Sequence, residues 1–474
     1  MSEVKSGGAR SGWVVLTLLA FAQFILIVDI TVVQVALPSI GTDLALHRDA
    51  LTWVVTAYTL VFGGLMVFGG RLADMLGARR VLIVGLAIFT AASLMCGLAG
   101  TGAALIAGRA AQGAGAALLS PSALAIITTT FQGSARNRAL GVWAAIGGAG
   151  AAVGVLLSGL LTAGPGWPWV FFVNVPIGIA VLVLVPRLVR TDEARTASQP
   201  VDVPGAIVIT AATALLIYGL VNAGDAGWGA AGTVAAVVAA GLGYVLFVLV
   251  EAKARTPLMR PQTMARRPVV SGTFLMLVAT GLLLGMFFLA SLYLQHVLGL
   301  GALTTGAVFL PVALAITAGA QAGAHVIGRI GGRVVAVAGF ALTAGGAVLL
   351  AQGVAGGGVL TGVLPGFVLA ALGIGPLFVT ATTTTLANVP PGEAGIASGV
   401  VNTFHELGGS IGIAVVSTVA AASIATIGRG AVDPSGFGAG FWTCAAAAAV
   451  AALVALILVP AGRPHAVVGH GHAH

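Results

Sequence analysis

Two carboxylic acids, Asp29 and Glu406, stand inside long apolar runs, and Arg109 stands inside a third. An ionisable side chain in a low-dielectric layer is costly to keep there and marks a place where charge is used. A carboxyl in such a medium can bind and release a proton near neutral pH. A guanidinium does not give its proton up and serves as a fixed counter-charge. Asp29 and Arg109 could therefore pair, as a working element or as a purely structural ion pair, and Asp29 would then take a proton only when the pair loosened. His405 precedes Glu406, and an imidazole beside a carboxyl could relay protons. Adjacent residues on a helix point in different directions, however, so one of the two would face a cavity and the other a neighbouring helix. The tail His470-x-His472-x-His474 has metal-ligand spacing without a scaffold around it, and no metal site is expected.

The elements that must position these groups are membrane helices. The 474 residues are 58% hydrophobic and only 7% charged, where soluble proteins average about 25% charged. Apolar runs of about 20 residues, the length that crosses a bilayer as a helix, recur at 13–37, 51–70, 81–100, 103–130, 139–163, 169–186, 203–223, 230–250, 269–295, 304–327, 334–353, 359–387, 395–424 and 437–459. They lack the strict alternation of a membrane β-barrel. The first run is too long for a signal-peptide core and is expected to be retained. The fold class is all-α integral membrane, with fourteen transmembrane helices and both termini on one side. Cys96 and Cys444 lie in apolar runs and offer no disulfide framework.

Charge orients the bundle. With a cytoplasmic N-terminus, the outer loops hold only Arg48 and Arg429 of the 21 basic residues, Arg109 lies within a helix, and the rest fall inside. That is the positive-inside bias of a multi-pass protein in a cytoplasmic membrane, and it makes the net charge of +8 a topological signal and not one for nucleic acid. Charged connections divide the chain into a six-helix bundle (1–190), a two-helix insertion with its linkers (191–265), a second six-helix bundle (266–460) and a His-containing tail (461–474). Gly77, Arg79 and Gly85 recur as Gly331, Arg333 and Gly339, and Gly113 and Gly115 as Gly373 and Gly375. Two related halves place a transport site at their interface near the midplane. The only lysines are Lys5 and Lys253, so no Walker A loop exists to bind ATP. Among 70 glycines, most are expected to serve close helix packing.

The segment GGRLADMLGARR, with Gly70, Asp74, Gly77, Arg79 and Arg80 in register, resembles the cytoplasmic signature of the major facilitator superfamily. Gly77 would permit the sharp turn, Asp74 could face a neighbouring helix N-terminus, and the basic pair could bond acceptors across the bundle interface. The resemblance implies a gate latch on the inside face; the second half keeps Arg333 but has Gly328 where Asp74 aligns. VDITVVQVALPSI, with Asp29 and with Gln34 where asparagine is usual, is similar to the first-helix motif of the fourteen-helix drug:proton antiporter branch. GRAAQGAGAALLSP resembles its helix 4 motif through Arg109, Gln112, Gly113 and Gly115, where the arginine is linked to proton coupling. GIASGVVNTFHELGGSIGIAV looks like its helix 13 segment, with His405 and Glu406 where Arg-Gln is common.

The helix 5 antiporter motif departs. GVLLSG keeps Gly154 and Gly159, with Gly150 before them, but has Val155 for proline and Ser158 for glycine. In the family these glycines seal packing against the second half. The resemblance implies a monomeric carrier exchanging protons for a hydrophobic, amphipathic or cationic small molecule by alternating access, driven by the proton gradient with no cofactor. A dedicated exporter of one endogenous metabolite or antibiotic, and a facilitator without proton coupling, remain the alternatives.

Overall fold

The computed structural model describes residues 3–46, 48–189, 202–254, 261–356, 358–386, 389, 394–424 and 433–461, which are almost entirely helical and contain no strand. The long helices are α1 (Glu3–Asp43), α2 (Arg48–Leu76), α3 (Ala78–Gly97), α4 (Gly102–Thr130), α5 (Gly133–Ala163), α6 (Asn174–Leu188), α7 (Val203–Ala226) and α8 (Ala231–Lys253). They continue as α9 (Arg267–Leu292), α10 (Ala302–Ile330), α11 (Gly332–Gly356), α12 (Leu364–Leu386), α13 (Ala394–Val419) and α14 (Ser435–Leu458). Among the described residues twelve helices are long and apolar enough to cross a membrane. The sequence implied fourteen crossings; the two further long helices, α5 and α13, run among the twelve at the seam described below.

Apolar side chains divide between packing and a greasy outer surface. Ile457, Leu360 and Leu314 are 70% or more exposed, which fits a protein bathed in lipid and not in water. Most of the buried apolar side chains of α9 to α14 form one cluster. Those of α1 to α6 form two others. Where the halves meet, α5 packs on α10, and α13 packs on α2 and α4. The inserted pair α7 and α8 pack on each other, and α7 lies along both α2 and α13.

The connections are tighter than the apolar runs implied. α2 and α3 are separated by Gly77 alone and α10 and α11 by Gly331 alone, with φ of +91° and +85°. Only glycine adopts such a backbone without strain. α5 begins at Gly133, so Arg136 and Arg138 ride its first turns. The sixth run is broken at Val173 into Trp169–Phe172 and α6, because Pro176 has no N–H to give to the carbonyl four residues back. The thirteenth run ends in a separate short turn, Ala421–Ile424.

Candidate functional site

Arg109 and Gln112 are one turn apart on α4 and share a face, as do Ser93 and Cys96 on α3. Asp29 projects from α1 into the space between them. Arg109 Nη1 forms an ion pair with Asp29 Oδ2, and the other oxygen, Oδ1, accepts from Gln112 Nε2 at 3.0 Å and Asn174 Nδ2 at 2.9 Å. Arg109 Nη1 also reaches Gln112 Oε1 at 2.8 Å, and its Nε donates to the Val54 carbonyl at 3.1 Å. Gln112 Nε2 donates to Ser93 Oγ at 2.7 Å. The guanidinium lies 4.3 Å from the centroid of the Tyr58 ring, a cation–π contact. Asp29, Gln112, Ser93, Asn174 and Tyr58 are 0% exposed and Arg109 1%.

This is a closed polar knot inside the first half, fed by α1, α2, α3, α4 and α6. A lone charge so placed would cost several kcal/mol, roughly what a matched partner with well-aimed donors offsets. Both oxygens of Asp29 accept from donors, Oδ2 from one and Oδ1 from two. The pairing of Asp29 with Arg109 that the sequence left open is therefore direct, and it is fully buried.

Glu406 is placed differently. It lies on α13 where that helix crosses α2 and α7, and its side chain keeps 16% exposure, against 40% for His405. His405 Nδ1 is 3.6 Å from Glu406 Oε1, and its ring centroid is 5.9 Å from that of Phe378 on α12. The two neighbours thus converge, where helix geometry alone sets them on separate faces.

The basic end of the seam carries the latch. Asp74 Oδ2 accepts from the Ile396 backbone N–H at 2.8 Å, in the first turn of α13. There an acid both occupies an unused helix donor and meets the positive end of the dipole. Arg79 donates to the Pro186 carbonyl at 2.6 Å and Arg333 to the Val459 carbonyl at 2.8 Å. These are the last turns of α6 and the end of α14, each within its own half, whereas the Asp74 bond crosses the seam. Arg80 is exposed, Gly70 is buried on α2, and the space at Gly328 is open.

The helix 5 glycines correct an expectation. A Cβ at Gly150 would meet Ile27 at 3.0 Å, and one at Gly154 would overlap Thr31; both belong to α1. Ser158 Oγ donates to the Val32 carbonyl on that helix at 2.7 Å. Spacing by four puts the three residues on one face, and that face closes on the first half. Gly141 meets the second half, at Ala324. Gly159, Val155 and the side chain of Gln34 lie outside what the structure describes, as does the histidine tail; no metal-holding group occurs among the described residues.

Asn174, Ser93 and Tyr58 belong to the knot and were not singled out in the sequence. A single amide in FFVNVPIG was the available signal for Asn174; a serine or tyrosine among apolar residues carries none.

The sequence profile of the Major Facilitator Superfamily matches residues 19–413. The chain belongs to the major facilitator superfamily. It is 40% identical over 408 residues to the cephamycin export protein CmcT of Amycolatopsis lactamdurans, across 85% of this chain and 84% of that protein. It is 38% identical over 424 residues to the puromycin resistance protein pur8 of Streptomyces alboniger, across 88% and 83%. The fold matches the superfamily's proton:xylose symporter XylE with a TM-score of 0.69 at 14% identity, over 97% and 98% of the two chains. As a superfamily member the protein is a multi-pass membrane transporter and not an enzyme.

Proposed function

We propose that this transporter exports a hydrophobic or amphipathic small molecule across the cytoplasmic membrane in exchange for protons. Glu406 is its proton-carrying group, and Asp29–Arg109 is the charged keystone of the first half. The observation that carries this reading is the contrast in access. Among the described helix residues Asp29 is enclosed by donors at 0% exposure, whereas Glu406 stands on α13 at the seam between the halves with 16% of its side chain exposed. A group that must meet protons from one side and then the other belongs at the surface that alternately opens, as in carriers built from two repeats. The positive-inside bias sets the basic face and both termini in the cytoplasm. The Asp74 bond to α13 then holds the cytoplasmic side shut. Rocking of the halves about the seam breaks that bond and exposes Glu406 inward. No partner subunit enters this scheme, and the carrier acts as a monomer.

A second reading differs in breadth. Relatives named for cephamycin and puromycin support a dedicated exporter of one antibiotic-like molecule, and one named for multidrug resistance supports breadth. Inverted membrane vesicles with an acid interior test both. Uphill accumulation of a compound, collapsing when the pH gradient is dissipated, supports antiport. Equilibration without accumulation identifies an uncoupled facilitator. Protection of cells against many unrelated compounds supports breadth, and protection against a single one supports the dedicated exporter.

A further inference from the structure

The inserted pair is more than a join between the halves. α7 lies in the groove where α2 and α13 cross, touching both halves at several levels. At one end Ala206 and Ile209 of α7 pack with Val67 of α2 and with Ile396 and Val400 of α13, beside the Asp74 latch. At mid-height Ile217 and Leu220 pack with Leu407 of α13. Further along, Tyr218 stacks on Trp53 of α2, with ring centroids 6.3 Å apart. Past its end, Trp228 Nε1 donates to Thr418 Oγ1 on α13 at 2.9 Å.

The mid-height contact sits on the proposed proton site. Gly63 leaves a notch in α2. A Cβ there would lie 3.6 Å from Glu406 Cβ and would overlap Ile217 Cδ1. The methyl end of Ile217, itself 1% exposed, therefore fills the notch next to the acid. The opposite face of α7–α8 presents Ile207, Leu242 and Val245, each about 60% exposed, to the lipid. Ile217 thus fills the α2 notch beside the Cβ of Glu406, with the exposed apolar side chains of α7 and α8 elsewhere on the same pair.

We propose that Ile217, carried on the inserted helix α7, is the lateral shield of Glu406: seated in the Gly63 notch, it closes the lipid-side route to the carboxyl and leaves only the route between the halves. Ile217 is a positioning residue in this scheme, since it touches neither proton nor substrate. The functional consequence rests on the coupling role proposed for Glu406, but the shielding itself is a matter of access and is measured without transport.

The test uses the full chain in lipid nanodiscs. Labelling of Glu406 by an apolar and by a water-soluble carbodiimide is followed by peptide mass spectrometry. Ile217→Ala is expected to raise the apolar reagent's rate about tenfold by opening the local packing, with the water-soluble reagent's rate unchanged. Gly63→Ala combined with Ile217→Ala restores a methyl to the notch and should return the rate towards wild type. Ile217→Val, which trims one carbon, serves as the milder variant if Ile217→Ala does not yield folded protein, and should give a smaller rise of the same kind. An unchanged apolar rate in the folded variants, or an equal rise with both reagents, overturns the shield. If the apolar rate rises as expected while Glu406→Gln leaves pH-dependent transport intact, the shield stands and the coupling role of Glu406 falls.

Discussion

Asp29 accepts from a guanidinium and two amides at once, and each donor has no other carboxylate to turn to among the described residues. Removing the acid strands Arg109 in an apolar interior. Asp29→Ala should cost about 3–5 kcal/mol, the range for a broken buried pair, and Asp29→Ala with Arg109→Met should recover part of the loss. Asn174→Ala removes one hydrogen bond to a charged group and should cost about 1.5–3 kcal/mol. Thermal unfolding in detergent orders the variants, and equal stabilities would show that the knot holds no load. Asp29 and Arg109 were legible in the sequence because a charge in an apolar run is conspicuous, and Gln112 through its place in the helix 4 motif. That Asp29 and Arg109 could pair was legible; the bonds of Gln112 to both were not. Asn174 completes the knot from a helix that begins 145 residues later, and no local pattern records such a meeting.

Helices approach through glycine at the same crossings in both halves. Gly85 on α3 faces Gly115 on α4, and Gly339 on α11 faces Gly373 on α12. The internal repeat matched Gly113 with Gly373 and Gly115 with Gly375, yet Gly113 faces Tyr58 on α2, and Gly375 faces Ile316 on α10. A two-residue offset on a helix turns about 200°, so a repeat in the sequence can exchange the faces of its glycines. The sequence thus carried the presence of close crossings, and the rotation of each helix had to come from packing. Gly69 offers a test, since a Cβ there would overlap the Ala117 carbonyl. Gly69→Ala should force α2 from α4 at about 1–3 kcal/mol. Gly328→Ala, into open space, should stay within about 0.5 kcal/mol of wild type. Equal melting temperatures for the two variants would contradict the packing described.

Across the whole molecule, the Asp74 bond to Ile396 is a helix cap shared between halves. Apolar length made the helical bundle readable in advance, because a bilayer forces that pattern on any chain that crosses it. The strap formed by α7 was not readable, since its Ile, Leu and Trp contacts look like any lipid-facing helix. Asp74→Ala should cost about 1 kcal/mol of capping and shift the open–closed balance about fivefold towards cytoplasmic opening. A cysteine at Asn402, which now contacts Ser120 across the seam at 3.3 Å, reports this as faster reaction with a water-soluble maleimide; an unchanged rate would show that the bond does not govern opening.

Everything about energy coupling comes down to whether the seam acid carries the proton. Purified protein in proteoliposomes, loaded with a pH-sensitive dye and given a transported substrate, reads proton movement against substrate movement directly. Wild type should release protons in step with substrate, and Glu406→Gln should move substrate only downhill, with neither proton flux nor dependence on pH. Substrate-driven proton movement of wild-type size in Glu406→Gln would contradict the account.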